Sequence, residues 1–134
     1  MDDIEIAYAA GLFDGEGSIS LVCQRSNRSH SPQVAVASND HEVLLWLRKR
    51  WGGSIVTKQP RKATHSISYD WRLTDRRALT FLRSIRPFLV IERKMRRIDL
   101  LLNEYVACTP RNGRYTKEMA EQKQALVETF FSLP

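Results

Sequence analysis

A chain of 134 residues, 43% of them hydrophobic, can bury one sizeable core but is short for two, so a single domain spanning 1–134 is expected. Its 21 Lys and Arg against 15 Asp and Glu give a net charge of +6, which favours a polyanionic partner through phosphate neutralisation. Two distant cysteines, Cys23 and Cys108, argue against a disulfide framework or a paired zinc ligand set, and no stretch reaches the roughly 18 apolar residues of a membrane span. With an acidic N-terminus in place of a basic leader, the expectation is a soluble, intracellular protein of cytoplasm, nucleoid or organelle that is not secreted.

Residues 4–14 form a short apolar run compatible with a helix, with Asp2 or Asp3 as its cap and Gly15 and Gly17 at its end. From Ser18 the pattern alternates, Ile19, Leu21 and Cys23 on one face and Ser20, Val22 and Gln24 on the other, as in a half-buried strand. After a polar loop over 26–32, residues 33–38 alternate again, with Val34 and Val36 inward. Asp40 is placed to cap a helix through Val43, Leu44, Leu47 and Trp51, stopped by Gly52 and Gly53. A second strand pair over 55–59 and 66–73 is joined by the basic loop 60–65. Asp75 then caps a helix over 76–85, Pro87 interrupts, an amphipathic helix covers 91–105 and a final helix 116–131. The order predicts an α+β domain: a helix-strand-strand-helix-strand-strand-helix core with one four-stranded antiparallel sheet. Trp46, Trp51, Phe81, Phe88 and Leu89 are expected in its core, and Trp71 in the core or at a strand end.

Charge is unevenly distributed. Residues 25–77 hold eleven Lys and Arg against four acids, whereas the first sixteen residues hold five acids and no Lys or Arg. Within that acidic segment Gly11 and Gly15 stand four apart, on one helix face that Ala7 and Tyr8 extend, where a second backbone can approach closely. Gly15-Glu16-Gly17 also reads as an ordinary helix-to-strand turn. Against that reading, Asp14 and Glu16 lie at a helix C-terminus, where the macrodipole disfavours negative charge. Two such helices packed side by side bring four carboxylates together, a setting for hard divalent cations, most naturally Mg2+, that activate water. His30, His41 and His65 lack the neighbours of a histidine-metal nuclease.

The segment Ala9-Ala10-Gly11-Leu12-Phe13-Asp14-Gly15-Glu16-Gly17 resembles the LAGLIDADG motif, with Ala9 for the first Leu, Phe13 for Ile, Gly15 for Ala and Glu16 for the second acid. The element order that follows, and the step Pro87-Phe88-Leu89, extend the resemblance to about residue 107. It implies a homing endonuclease of the single-motif, homodimeric type: a LAGLIDADG-like fold whose sheet binds double-stranded DNA. Such an enzyme cuts both strands of a long, roughly palindromic site with Mg2+ or another divalent cation such as Mn2+, as in intron homing. Carried over by position, Glu16 is the metal-binding acid and Gly15 offers its backbone carbonyl to the same metal. Asp14 stabilises the helix end, while Gly11 and Gly15 form the subunit contact. The family's water-ordering polar residue falls at Ser38 or Asn39. Its active-site lysine falls at Glu92, a departure. Arg93 or Lys94 then supplies the positive charge, with Lys94 the second catalytic candidate beside Glu16, although Lys94 reads equally as a solvated helix charge.

A two-stranded ribbon fits the major groove and shows alternate residues to it. The DNA-facing set is therefore Ser20, Val22, Gln24, Gln33 and Ala35, with Lys58, Ser66, Ser68 and Arg72 from the second pair. Arg25, Arg28, His30, Arg61, Lys62 and His65 reach out from the loops. Two other functions fit the same fold: an intron RNA maturase, and a DNA-binding protein that does not cut.

Overall fold

Apolar residues at every second position make a strand bury one face and leave the other open. In the computed structural model, which describes residues 1–23, 29–59 and 67–134, that pattern becomes four strands. β1 (Gly17–Val22) and β2 (Ser31–Ser38) form one antiparallel pair, β3 (Ser54–Lys58) and β4 (Ser68–Thr74) a second. β2 and β4, also antiparallel, join the pairs in the order β1-β2-β4-β3. The register sets Ser20 opposite Gln33, Ala35 opposite Arg72 and Lys58 opposite Ser68, so these residues share one face. Ile19, Leu21, Val34, Val36, Trp71 and Leu73 fill the other and are buried.

Helices α1 (Asp3–Glu16), α2 (His41–Trp51) and α3 (Asp75–Ile85) cover the apolar face. α4 (Glu92–Glu104) packs on α3 and β1, and α5 (Lys117–Ser132) packs on α4. Phe81 is the centre of the core, its ring meeting Phe13, Trp51 and Trp71 edge-on at 5.9, 4.9 and 5.1 Å. Trp71 is a core residue, and its indole N–H donates to the carbonyl of Gly52 at 2.8 Å. That neighbouring turn needs glycine: Gly53 has φ +92, and a Cβ there would run into the Arg72 carbonyl. Among the described residues no helix is long and apolar enough to cross a membrane.

The architecture is the expected α+β core, with local differences. Gly15 does not end α1, which runs on through Glu16 to Gly17. Of the two candidate caps Asp2 acts, accepting the Glu5 N–H at 2.9 Å. Asp40 makes no side-chain cap bond; instead its own N–H donates to Ser38 Oγ at 2.9 Å. Thr74, not Asp75, is the N-cap residue of α3; Asp75 is the first helical residue, at φ +56, and accepts the Tyr105 hydroxyl at 3.3 Å. Phe88 is exposed rather than in the core, because the 3-10 turn Arg86–Phe88 around Pro87 brings the chain to the surface; Leu89 is buried. Trp46 and Trp51 pack half-buried at the core margin.

Candidate active site and nucleic-acid interface

Where α1 ends, a Cβ on Gly17 would overlap the buried Phe13 ring, so the chain can turn directly into β1 only with glycine there. The two acids before that turn have different surroundings. Asp14 accepts the backbone N–H groups of Val90 at 2.9 Å and Ile91 at 3.2 Å, at the N-terminus of α4, where a helix favours negative charge. In return Lys94 of α4 donates from Nζ to the carbonyls of Phe13 at 2.9 Å and Asp14 at 2.6 Å, covering the negative end of α1. Each helix thus caps the other. Lys94 is 8% exposed, so it is not a solvated charge of the helix face. Burial pushes its pKa down and Arg93 adds to that, with Asp14 and Glu16 opposing.

Glu16 has no such arrangement. It is exposed, and among the described residues its carboxylate makes no hydrogen bond or ion pair. An open groove of about 1060 Å³ runs beside it, lined by Tyr8 and Leu12 of α1, Ser38 at the end of β2 with Asn39 and Asp40 after it, Trp46 of α2 and Ser68 of β4. Both candidates for the water-ordering position therefore face the same groove as Glu16. Glu92 lies at the exposed start of α4, paired with Arg96 at 3.4 Å, and Arg93 is exposed beside it.

Within one chain, no three metal-ligating side chains converge among the described residues. The Glu16 carboxylate and the Gly15 carbonyl are hard oxygen donors, suited to Mg2+ but only part of a coordination set. A divalent cation fits here if a second copy adds its own donors. The outer stripe of α1 leaves room for one. Ala7 is exposed, nothing lies within 4 Å of a Cβ built on Gly11 or Gly15, and Ile4 is 80% exposed. Phe88 and Val90 are also exposed apolar residues, on the chain after α3. Tyr8 is exposed too but leans on Trp46, edge-on at 5.0 Å.

On the open face of the sheet stand Ser20, Val22, Gln33, Lys58, Ser68 and Arg72. Its polar carpet includes an acid not singled out from sequence: Asp70, 5% exposed, bridges Lys58 Nζ and Arg72 Nη2 at 3.1 Å each. The alternation of β4 was the available signal, since Asp70 shares parity with Ser68 and Arg72. His30 packs half-buried with its ring 6.1 Å from that of Phe131. Gln24, Arg25, Arg28, Arg61, Lys62, His65 and Ser66 lie outside the described residues.

No sequence-family profile and no curated protein matches the chain. Solved structures do. The homing endonuclease I-CvuI, in complex with the I-CreI target, superposes with a TM-score of 0.74 at 16% identity, over 98% of this chain and 82% of that one. The archaeal intron-encoded homing endonuclease I-Vdi141I, complexed with DNA, gives 0.55 at 18% over 96% and 85%. The LAGLIDADG homing endonuclease I-GzeII, with its DNA target, gives 0.68 at 15%, and there 96% of this chain spans 44% of the other. With the motif-like segment closing α1 and two strand pairs joined as one sheet, the chain has the fold of the LAGLIDADG homing endonucleases.

Proposed function

We propose that the protein is a homodimeric, site-specific DNA endonuclease that makes double-strand breaks in a long, roughly palindromic target by metal-dependent phosphodiester hydrolysis. The observation that supports this best is the difference between the two acids closing α1. Asp14 is committed to the N-terminus of α4, whereas Glu16 stands exposed beside an open groove, with no hydrogen bond or ion pair among the described residues. A carboxylate at a helix C-terminus that makes no hydrogen bond or ion pair among the described residues would be further stabilised by a cation that arrives with the substrate or the second subunit.

In this reading two α1 helices meet along Ala7, Gly11 and Gly15, and each contributes Glu16 and the Gly15 carbonyl near the two-fold axis. A bound divalent cation supplies there an acidified water and charge neutralisation at the phosphate. Ser38 or Asn39 orients water in the groove. Lys94, buried and hydrogen-bonded to two carbonyls, acts by holding the end of α1 rather than by touching the phosphate. The open sheet face lies along the duplex, and a two-fold protein reads a two-fold site.

Selection from a randomised duplex library with Mg2+, against the same library with EDTA, tests the proposal. Paired breaks at one enriched, near-palindromic sequence, in Mg2+ only, are the expected result. Binding without cutting would leave a DNA-binding protein of this fold, and selective retention of structured RNA a maturase.

A further inference from the structure

The connection from β1 to β2 is held from outside the sheet. Ser29 Oγ shares a 2.6 Å hydrogen bond with the Tyr115 hydroxyl, and the next residue, His30, sets its ring edge-on to that of Phe131 in α5, at 6.1 Å between centres. Neither contact belongs to the buried core, since Ser29 and Phe131 are exposed and Tyr115 and His30 only half-buried. Two successive residues of the connection are thus tied to the C-terminal part of the chain.

What anchors Tyr115 is a buried ammonium. Lys123 of α5, 4% exposed, donates to the Tyr115 hydroxyl at 3.0 Å and to Thr109 Oγ1 at 2.7 Å. A lysine has donors only, so Tyr115 accepts from it and keeps its own proton for the bond with Ser29. A charged donor behind a hydroxyl also strengthens the bond in front of it. The same Nζ lies 4.4 Å from the centre of the Tyr105 ring, whose hydroxyl donates to Asp75, the residue after β4. Thr74, the last residue of β4, stands opposite Gln33, and Ser31 opposite Val22. One cluster therefore holds the connection and the adjoining end of β4 together.

β1 starts at the residue after Glu16 and runs six residues to Val22. At about 3.4 Å per residue its far end lies about 17 Å from Glu16, the length of about five stacked base pairs. We propose that Tyr115, held by Lys123, is a specificity-determining positioning residue: through Ser29 it fixes the β1–β2 connection, and with it the reading of the outermost base pairs of each half-site. The inference rests on the DNA-binding reading of the sheet. Tyr115 touches no base in this role; it limits the directions from which the strand ends can approach one.

The test measures base-pair discrimination at every position of the selected duplex, by competition titration in Ca2+, for wild type, Tyr115→Phe, Ser29→Ala and the double variant. Tyr115→Phe keeps the ring and removes only the hydroxyl. It should lose about twofold to tenfold in discrimination, the worth of one hydrogen bond, at pairs about five or more from the centre, and nothing nearer the centre. The double variant should lose no more than the larger single loss, because both changes break the same bond. In the free protein, amide hydrogen exchange at residues 29–31 should be faster in Tyr115→Phe, with Val34 and Val36 protected as in wild type. Unchanged discrimination or unchanged exchange would overturn the proposal, as would an equal loss at all positions or additive losses in the double variant. A wild-type protein that selects no duplex would remove the DNA reading, and the proposal with it; the exchange measurement, which needs no DNA, tells that failure from a Tyr115 that does not hold the connection.

Discussion

Asp14 and Glu16, two residues apart on one helix, do different work because only Asp14 reaches the backbone N–H groups that open α4. Lys94 returns the favour from the other side, and its two hydrogen bonds are charge-assisted. Lys94→Met should therefore lower stability by about 1.5–3 kcal/mol in urea unfolding. The same change should slow cleavage more than it weakens binding in Ca2+; unchanged stability would mean that the mutual capping contributes little. On the open face of the sheet, which the proposed function lays along a duplex, Asp70 holds Lys58 and Arg72. Asp70→Asn should strengthen binding to unrelated duplexes and cut discrimination at the base pair read by Arg72, by about 1–3 kcal/mol, as measured by competition titration. Glu16 could be singled out from sequence because an acid between two glycines at a helix end is conspicuous. The roles of Lys94 and Asp70 were not legible, since each depends on contacts from a separate element.

The joint between α3 and α4 shows how the motif helix is held at the scale of elements. Arg86, opening the Pro87 turn, donates to both carboxylate oxygens of Asp99, at 2.6 and 2.9 Å, and so fixes α4 relative to the turn before it. The Arg86 hydrogen bond holds Asp99 below its ordinary value of 3.8, against the opposing effect of burial. A carboxylate with a depressed folded pKa stabilises the fold above its unfolded pKa, and that contribution disappears as pH falls through the folded pKa. Asp99→Asn should thus be less stable than wild type at neutral pH and lose less of its stability below about pH 4. Parallel acid titrations of the two proteins check this; curves of the same shape would contradict it. Element types were legible from period-2 and helical patterns, and Pro87 marked its break. Cap bonding was not: Asp40 is the N-cap residue of α2 but makes no side-chain cap bond, and Asp75 is the first helical residue of α3 and accepts the Tyr105 hydroxyl.

Across the whole molecule, α1 between the acids at its two ends is apolar on both sides. Its inner side, Ala9, Ala10 and Phe13, is buried in the core, while Ile4, Ala7, Tyr8 and Gly11 remain exposed. An exposed apolar stripe on a helix is at home only where it is covered, and in the proposed function a second copy would cover it and complete a two-fold site. Gly11→Leu fills the space a neighbouring backbone needs, so sedimentation should show dissociation to monomers while circular dichroism stays native; a dimer that survives the change would place the interface elsewhere. The sheet and its coverage by helices followed from alternating residues. The union of β2 with β4 and the seam of α5 against the β1–β2 connection did not, because long-range pairing leaves no local pattern. In the proposed mechanism Glu16 from each subunit would hold the divalent cation that hydrolysis requires. Single-turnover cleavage of the selected duplex in Mg2+ by wild type and Glu16→Gln, with Ca2+ binding titrations alongside, tests it most directly. Wild type should cut both strands, and Glu16→Gln should cut at least about a hundredfold more slowly while binding equally well or more tightly. Cleavage by Glu16→Gln at the wild-type rate would contradict it.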